Sequence, residues 1–587
     1  MTMKLNKILM VSAVAFAAVA FTGCIKEVFP KESAITESQL AQSSAGMESM
    51  MKSVPASMAA HVAASYDHSD FGYHSVGLYK DHHAMTMFPC ARVDRGGNPY
   101  YSRLQAPNYG FDMGTNGGYT HYIWYNFYPF IKKANDIIGS CGNDESLVEF
   151  RAIAKAFRAL FYLELVGYYD SLPAKAPELP DYETELEKIL GLTVPIVTEN
   201  TTEDAAKQNP RADREEMFKF IFADLADAMN SMEMFETDPQ FKATVYGSTP
   251  VYPELAAVYG LIARSYMWLG QFEAGLYPNE ETEESEESEE ADKTKKLLLL
   301  TGRDAYAEAL KYAELAIATA NVPVMTEEQW SNVTTGFNTV VPSWIWATMM
   351  STDTVINNLL AFPAHVCPEA SYGYGPLACV GVASDTYERL FSTDIRKKLI
   401  IGENTTYEQF QKYTSMPREE WEELAYRAPY TNFKFRPGQG ERVDYMVANA
   451  VSLPIMRIDE MYFIQMEAMA HLDRVSEAKN KLVEFMANRA SGYYTNKSDK
   501  AEVIEEIIFQ KSVEFWGEGV ILFDMKRLDM GVHTTGQNYQ SGMLFDTEGR
   551  LPWWNLPIPS GETAVNTATK EQAGPNPSYG VESEDAI

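Results

Sequence analysis

Four carboxylates, Glu460, Glu467, Glu514 and Glu518, stand near two arginines, Arg457 and Arg527. Two carboxylates flanking a bond are what glycoside hydrolysis requires, so these residues pose the first chemical question. Arg457, Glu460, Ile464 and Glu467 recur at steps of three, four and three, which places a charged pair and an apolar residue on one helix stripe. The spacing predicts a buried network in which the carboxylates pair with Arg457 and Arg527 and fix helix packing, in preference to an acid and a base. Other catalytic signatures are missing: there is no GxSxG, HExxH, P-loop or GxGxxG. His82 and His83 are neighbours pointing in different directions on a helix, expected as surface or loop histidines rather than a metal site. No catalytic residue, metal ligand or cofactor is assigned.

Aromatic residues offer chemistry of another kind. Many of the 34 tyrosines and 9 tryptophans fall in stretches without core periodicity. Tyr100, Tyr101 and Tyr109 lie with Phe111 in one Gly/Pro-containing stretch, and Tyr372 and Tyr374 flank Gly373 in another. An exposed ring stacks on the apolar face of a sugar or packs against a peptide side chain, while its hydroxyl hydrogen-bonds. These five tyrosines are the candidate ligand contacts, with Trp330, Trp421 and Trp553-Trp554 next in line. Filling small cores beneath long loops is the competing use of such rings.

The elements that must position these residues are helices. In residues 211–232, Met217, Ile221, Leu225 and Ala228 share one face, with Asp213 as the amino-terminal cap. Residues 255–274 read as a helix, a glycine turn and the start of a second helix. Helical pattern resumes at Tyr306, Ala309, Leu310, Ala313 and Ile317. Small alanines at steps of three and four let paired helices approach closely, the mechanism of tetratricopeptide-type hairpins. The same grammar returns at residues 461–490, turning at His471-Leu472-Asp473-Arg474, and at 124–168. Long irregular stretches rich in Gly, Pro and aromatics cover 66–121, 171–210, 325–455 and 530–587, with a short strand expected at 343–347. The expected fold is therefore mainly α, with helical hairpins carrying long irregular loops and a few short strands.

Composition narrows the partners. The formal charge is −32, and −34 once Lys4 and Lys7 are removed with a leader, which excludes nucleic acid. An acidic run at 280–292, answered only by Lys293, Lys295 and Lys296, repels itself and is expected as a solvated, disordered insertion spanning 280–296. Cys90, Cys141, Cys367 and Cys379 are too few for a disulfide framework, and only Cys367 and Cys379 are close enough in sequence to suggest a loop bridge.

The amino terminus carries Lys4 and Lys7, an apolar core over residues 8–21, and Thr22-Gly23 before Cys24. Fourteen residues are too few to span a bilayer as a helix, and no later segment reaches eighteen uninterrupted apolar residues. This stretch resembles the lipobox of bacterial lipoproteins, with Phe21 and Thr22 departing from the usual residues. The resemblance implies cleavage after residue 23 and lipidation of Cys24. Ile25-Lys26-Glu27 looks like the lysine-plus-acid tag of Bacteroidetes surface lipoproteins. Residues 1–23 are then a signal peptide, 24–60 a lipidated tether leading into a helix near 47–64, and 61–587 a single domain.

Residues 454–468 are similar to the SusD/RagB family, whose members carry a proline, an arginine, a glutamate and a final Glu-Ala at this spacing. Arg158-Ala159-Leu160-Phe161-Tyr162 through Tyr168, Tyr169 and Pro173 agrees. So do Glu514, Glu518-Gly519, Asp524 and Arg527, and the closing segment Leu556-Pro557-Ile558-Pro559 with Glu562, Asn566 and Asn576-Pro577. Gln510-Lys511 and Ile521 depart from the pattern, and Ile521 cannot replace an arginine in a charge network. The resemblance implies a SusD-like fold and a lipid-anchored protein on the outer-membrane surface. It would bind a nutrient oligomer and close as a lid over a SusC-like TonB-dependent transporter. An oligosaccharide is the first expectation for the ligand, an oligopeptide the second, and a surface glycoside hydrolase using the helix carboxylates the third.

Overall fold

The alanine spacing acts as close helix packing requires. Ala305, Ala309, Ala313 and Ala316 are all fully buried along one helix. On the helix facing it, a methyl group at Gly260 would fall 2.3 Å from the sulfur of Met456. The computed structural model describes residues 43–59, 72–97, 113–277, 295–355, 361–373, 375–377, 379–539 and 543–577. The helices that matter below are α1 (Ser44–Ala59), α2 (Tyr73–His83), α3 (Gly118–Cys141), α4 (Val148–Tyr169), α5 (Arg214–Thr237) and α6 (Leu255–Leu269). They continue with α7 (Gly302–Ala320), α8 (Arg418–Arg427), α9 (Ile458–His471), α10 (Val475–Met486), α11 (Lys500–Glu514) and α12 (Ile521–Arg527).

From α3 to α7 each helix packs on the next in chain order, α7 packs on α9, and α9 packs on both α10 and α11. This nearest-neighbour succession is the arrangement of stacked helical hairpins. The Asp213 carboxylate caps α5 by accepting the Glu216 amide at 2.8 Å. Leu472, Asp473 and Arg474 make the turn from α9 to α10, with Asp473 at φ 66°. One apolar core runs from Met47 to Ile558.

Two details differ from the sequence reading. No helix starts directly after Gly270: residues 270–277 turn, and the second helix of that hairpin is α7. Tyr306 of α7 lies so close over Gly270 that a β-carbon there would meet its ring at 2.5 Å, so the turn needs glycine. The acidic run falls outside the described residues, although Lys295 just beyond it pairs with Glu233 at 2.5 Å. The helix expected near 47–64 at the end of the tether is α1, and it starts and ends a few residues earlier. Met47, Met51 and Val54 of α1 are buried, and α1 packs on α3.

The strands are short: β1 (Phe88–Pro89), β2 (Trp344–Met349), β3 (Val380–Gly381) and β4 (Ser452–Arg457). β2 and β4 pair antiparallel, Trp344 opposite Arg457 and Met349 opposite Ser452, which delivers Arg457 to the start of α9. β1 and β3 pair antiparallel, Phe88 opposite Gly381.

Candidate ligand face and buried charge network

The β1–β3 ladder brings together two regions far apart in sequence. It is widened by backbone bonds from Asn432 to Val380 (3.1 Å), Val382 to Tyr430 (3.2 Å) and Ile401 to Thr431 (3.1 Å). Gly381 permits this closeness, because a β-carbon there would sit 2.2 Å from the Tyr430 carbonyl oxygen. The ladder roots both aromatic stretches singled out in the sequence: residues 98–112 follow β1, and residues 371–374 precede β3. Tyr100, Tyr101, Tyr109 and Tyr374 lie outside the described residues. Tyr372 is described, and its ring is buried in a satellite cluster with Ala364, Cys367, Ala370 and Ala448. Its hydroxyl donates to the Asn449 side-chain oxygen at 2.6 Å, so this tyrosine fastens the stretch from behind.

The tryptophans offer no open face. Trp330, Trp421, Trp553 and Trp554 are all buried, against their expected place as reserve ligand contacts. Trp554 donates its indole N–H to the His83 carbonyl at 2.8 Å. Tyr426, which the sequence reading passed over, is 61% exposed at the end of α8. Arg95 donates to its carbonyl at 3.2 Å, stands 5.4 Å over its ring and pairs with Glu403 at 2.7 Å. Helix periodicity carried the signal: Trp421 and Leu424 face inward, and Tyr426 lies well round the helix from both.

The helix carboxylates are buried and paired. Arg457 at the end of β4 donates to Glu518 at 2.8 and 2.9 Å and to Glu514 at 3.2 Å. Arg489 reaches both Glu514 oxygens, at 2.8 and 2.9 Å, and Asp459 at 2.6 Å. Lys434 completes Glu518 at 2.5 Å. Glu467 accepts from Arg527 at 2.5 Å, as expected. Glu460 does not pair with Arg457. It takes Arg264 of α6 at 2.6 and 2.8 Å, a partner the sequence reading did not name. Two lysines make further buried pairs: Lys511 with Asp524 at 2.7 Å, and Lys80 with Glu164.

Some of these groups line a cavity of about 80 Å³ between α2, α4, α6, α9 and α12, with Tyr73, Lys80, Glu164, Arg264, Glu460 and Phe523 on its wall. Every carboxylate on that wall has a cationic partner. A glycosidase acid must be held protonated by a raised pKa. Burial alone would raise Glu460, Glu467 and Glu514, but the facing guanidiniums outweigh it and hold all three below the ordinary carboxylate range. They are ionised members of a packing network.

His82 and His83 are core residues, not surface ones, and burial pushes His82 down to about 4. His82 Nδ1 lies 2.8 Å from the Met87 carbonyl, and the His83 ring meets Tyr119 edge-on at 4.3 Å. Cys367 and Cys379 are not bridged; they and the other described cysteines are free thiols. Among the described residues no group of three or more His, Cys, Asp or Glu side chains is placed to hold a metal ion, and no helix is long and apolar enough to cross a membrane.

A family model described as the SusD family matches residues 343–577. Over that stretch the chain matches the SusD family. No curated protein matches it. Its fold is that of a SusD-like carbohydrate-binding protein from Bacteroides vulgatus, at 19% identity and TM-score 0.60 over 89% of this chain and 97% of that one. Surface glycan-binding protein A from Bacteroides thetaiotaomicron, solved with laminarihexaose, is similar at 16% identity and TM-score 0.58 over 89% and 98%. A SusD-like carbohydrate-binding protein from Bacteroides fragilis follows at 13% and 0.56 over 90% and 99%.

The residues that carry the SusD likeness are mostly those of the charge network. Arg457, Glu460, Glu467, Glu514, Glu518, Asp524 and Arg527 all belong to it. Arg158 forms a separate buried fork with Asp224 at 2.7 and 2.8 Å. The closing segment locks the turn after α4: Asn555 brackets Leu172 through its amide N–H at 3.1 Å and its carbonyl at 2.8 Å.

Asp81 gives this core a pH signature. Burial pushes its carboxyl up to about 7 from an ordinary 3.8, while one oxygen accepts the Gly519 amide at 2.8 Å. A carboxyl whose folded pKa is raised stabilises the fold below its unfolded pKa and loses that contribution as pH rises through the folded value. Between pH 5 and 7, urea unfolding should show wild type losing roughly 2–3 kcal/mol relative to Asp81→Asn, at about 1.36 kcal/mol per unit. Parallel stability profiles for the two proteins would contradict the buried, proton-holding Asp81.

Proposed function

We propose that this protein is a lipid-anchored lipoprotein of the cell surface that binds a nutrient oligosaccharide and delivers it, as a lid, to a SusC-like TonB-dependent outer-membrane transporter. The observation that carries the reading is the shared fold, over almost the whole chain, with a surface glycan-binding protein caught holding laminarihexaose. The pairing of the helix carboxylates supports binding without hydrolysis, because it leaves Glu460, Glu467 and Glu514 ionised and engaged.

In this proposal Tyr100, Tyr101, Tyr109 and Tyr374 stack on sugar rings, and Tyr372 holds the second stretch in place. Residues 1–23 are the signal peptide, Cys24 carries the lipid, 24–60 are the lipidated tether leading into the first helix, and 61–587 are one domain. The helical body then serves as a rigid platform for loops that meet the ligand.

Calorimetric titration against panels of oligosaccharides and peptides tests the ligand. Wild type should bind an oligosaccharide, and Tyr109→Ala or Tyr374→Ala should weaken it by roughly tenfold or more, about 1.4 kcal/mol, with the fold intact. Binding confined to peptides overturns the sugar reading, and unchanged affinity in both variants moves the contacts elsewhere. For the anchor, Cys24→Ala should shift the protein from the membrane fraction to the soluble one; equal membrane retention contradicts lipidation at Cys24.

A further inference from the structure

The β1–β3 register continues past its last paired residues. Phe88 lies opposite Gly381 and Pro89 opposite Val380, so Cys90 falls opposite Cys379. The Cys90 amide donates to the Cys379 carbonyl at 2.8 Å, which carries the ladder one step further. Directly opposed residues of an antiparallel pair are about 4.5–5.5 Å apart at Cα. A disulfide spans about 4.4–6.8 Å. The Cys90 sulfur already points across the ladder, 3.2 Å from the Cys379 carbonyl oxygen and 3.1 Å from the Thr431 hydroxyl. Cys367, the partner that sequence proximity suggests for Cys379, sits instead in the separate cluster beneath Tyr372.

We infer that Cys90 and Cys379, present here as thiols, are the chain's disulfide-forming pair. Their bond would tie the strand leaving for residues 98–112 to the strand arriving from residues 371–377. It would join the roots of both proposed ligand stretches, a role that rests on the binding function proposed above.

The oxidant is the disulfide of an exported thiol oxidoreductase. The two cysteine sulfurs join, the two electrons reduce the oxidoreductase disulfide, and the two thiol protons end on its sulfurs. Burial pushes the Cys379 thiol up to about 11 and raises Cys90 as well, so thiolate is scarce once the ladder has closed. The bond therefore forms during folding, before the ladder buries the pair.

The test is peptide mapping of the chain from Ile25 onward, exported into a bacterial periplasm through a standard secretory leader and unfolded in guanidinium with iodoacetamide. The expected result is a linked Cys90–Cys379 peptide in most molecules, with Cys141 and Cys367 alkylated. Alkylation of all four cysteines, or a bridge through Cys141 or Cys367, overturns the inference. Because the leader imposes export and no ligand is involved, neither a wrong lipoprotein reading nor a wrong binding reading alters this outcome.

Discussion

A guanidinium with no access to water must find its full complement of acceptors, and Arg457 sets that constraint at the centre of this molecule. It stands where β4 becomes α9 and is satisfied by Glu518 and Glu514, which come from the end of α11 and the turn beyond it. Removing such charges from water costs several kcal/mol each, and only close, well-oriented partners offset it. Glu514 must in turn serve Arg489 and Arg396, and Glu518 must serve Lys434. Strand, helices and the irregular segment around residue 434 are thereby held to one mutual arrangement. Apolar contact alone is less directional and would tolerate sliding.

This constraint separates two tasks. The charges are committed to one another, so the helical body has little left to offer a ligand. Beside the small ladder of β1, β3 and the segments around residues 400 and 431, Arg95 and Glu403 hold Tyr426 outward. A rigid interior with its chemistry consumed, and an irregular margin with exposed rings, is the division expected of a binding platform.

Much of the helical body was legible in the chain. Spacing by three and four located α5, α6, α7, α9 and α10, the Asp213 cap and, to within one residue, the turn read at 471–474, because those signals are local. What escaped was set by distant partners. Arg264 sits 196 residues from Glu460, and nothing in its neighbourhood marks it as the cation that this carboxylate takes. His82 and His83 look like surface residues until the rest of the chain covers them. The same covering buries the four tryptophans that spacing leaves ambiguous. Tyr372 shows the limit for the ligand face: an aromatic beside a glycine reads as exposed, yet its ring packs inward among Ala364, Cys367 and Ala370 and its hydroxyl bonds Asn449.

The central claim, that the buried carboxylates hold the fold and the loops hold the ligand, is tested most directly by one variant. Glu514→Gln keeps shape and leaves Arg457, Arg489 and Arg396 facing a neutral amide. Urea unfolding of the variant, paired with titration of the ligand identified for wild type in the panel, should show stability lower by about 3–5 kcal/mol. Affinity in the folded variant should stay within about twofold of wild type, well inside the roughly 1.4 kcal/mol that a tenfold change represents. Unchanged stability, or lost binding by a variant that is still folded, would contradict it.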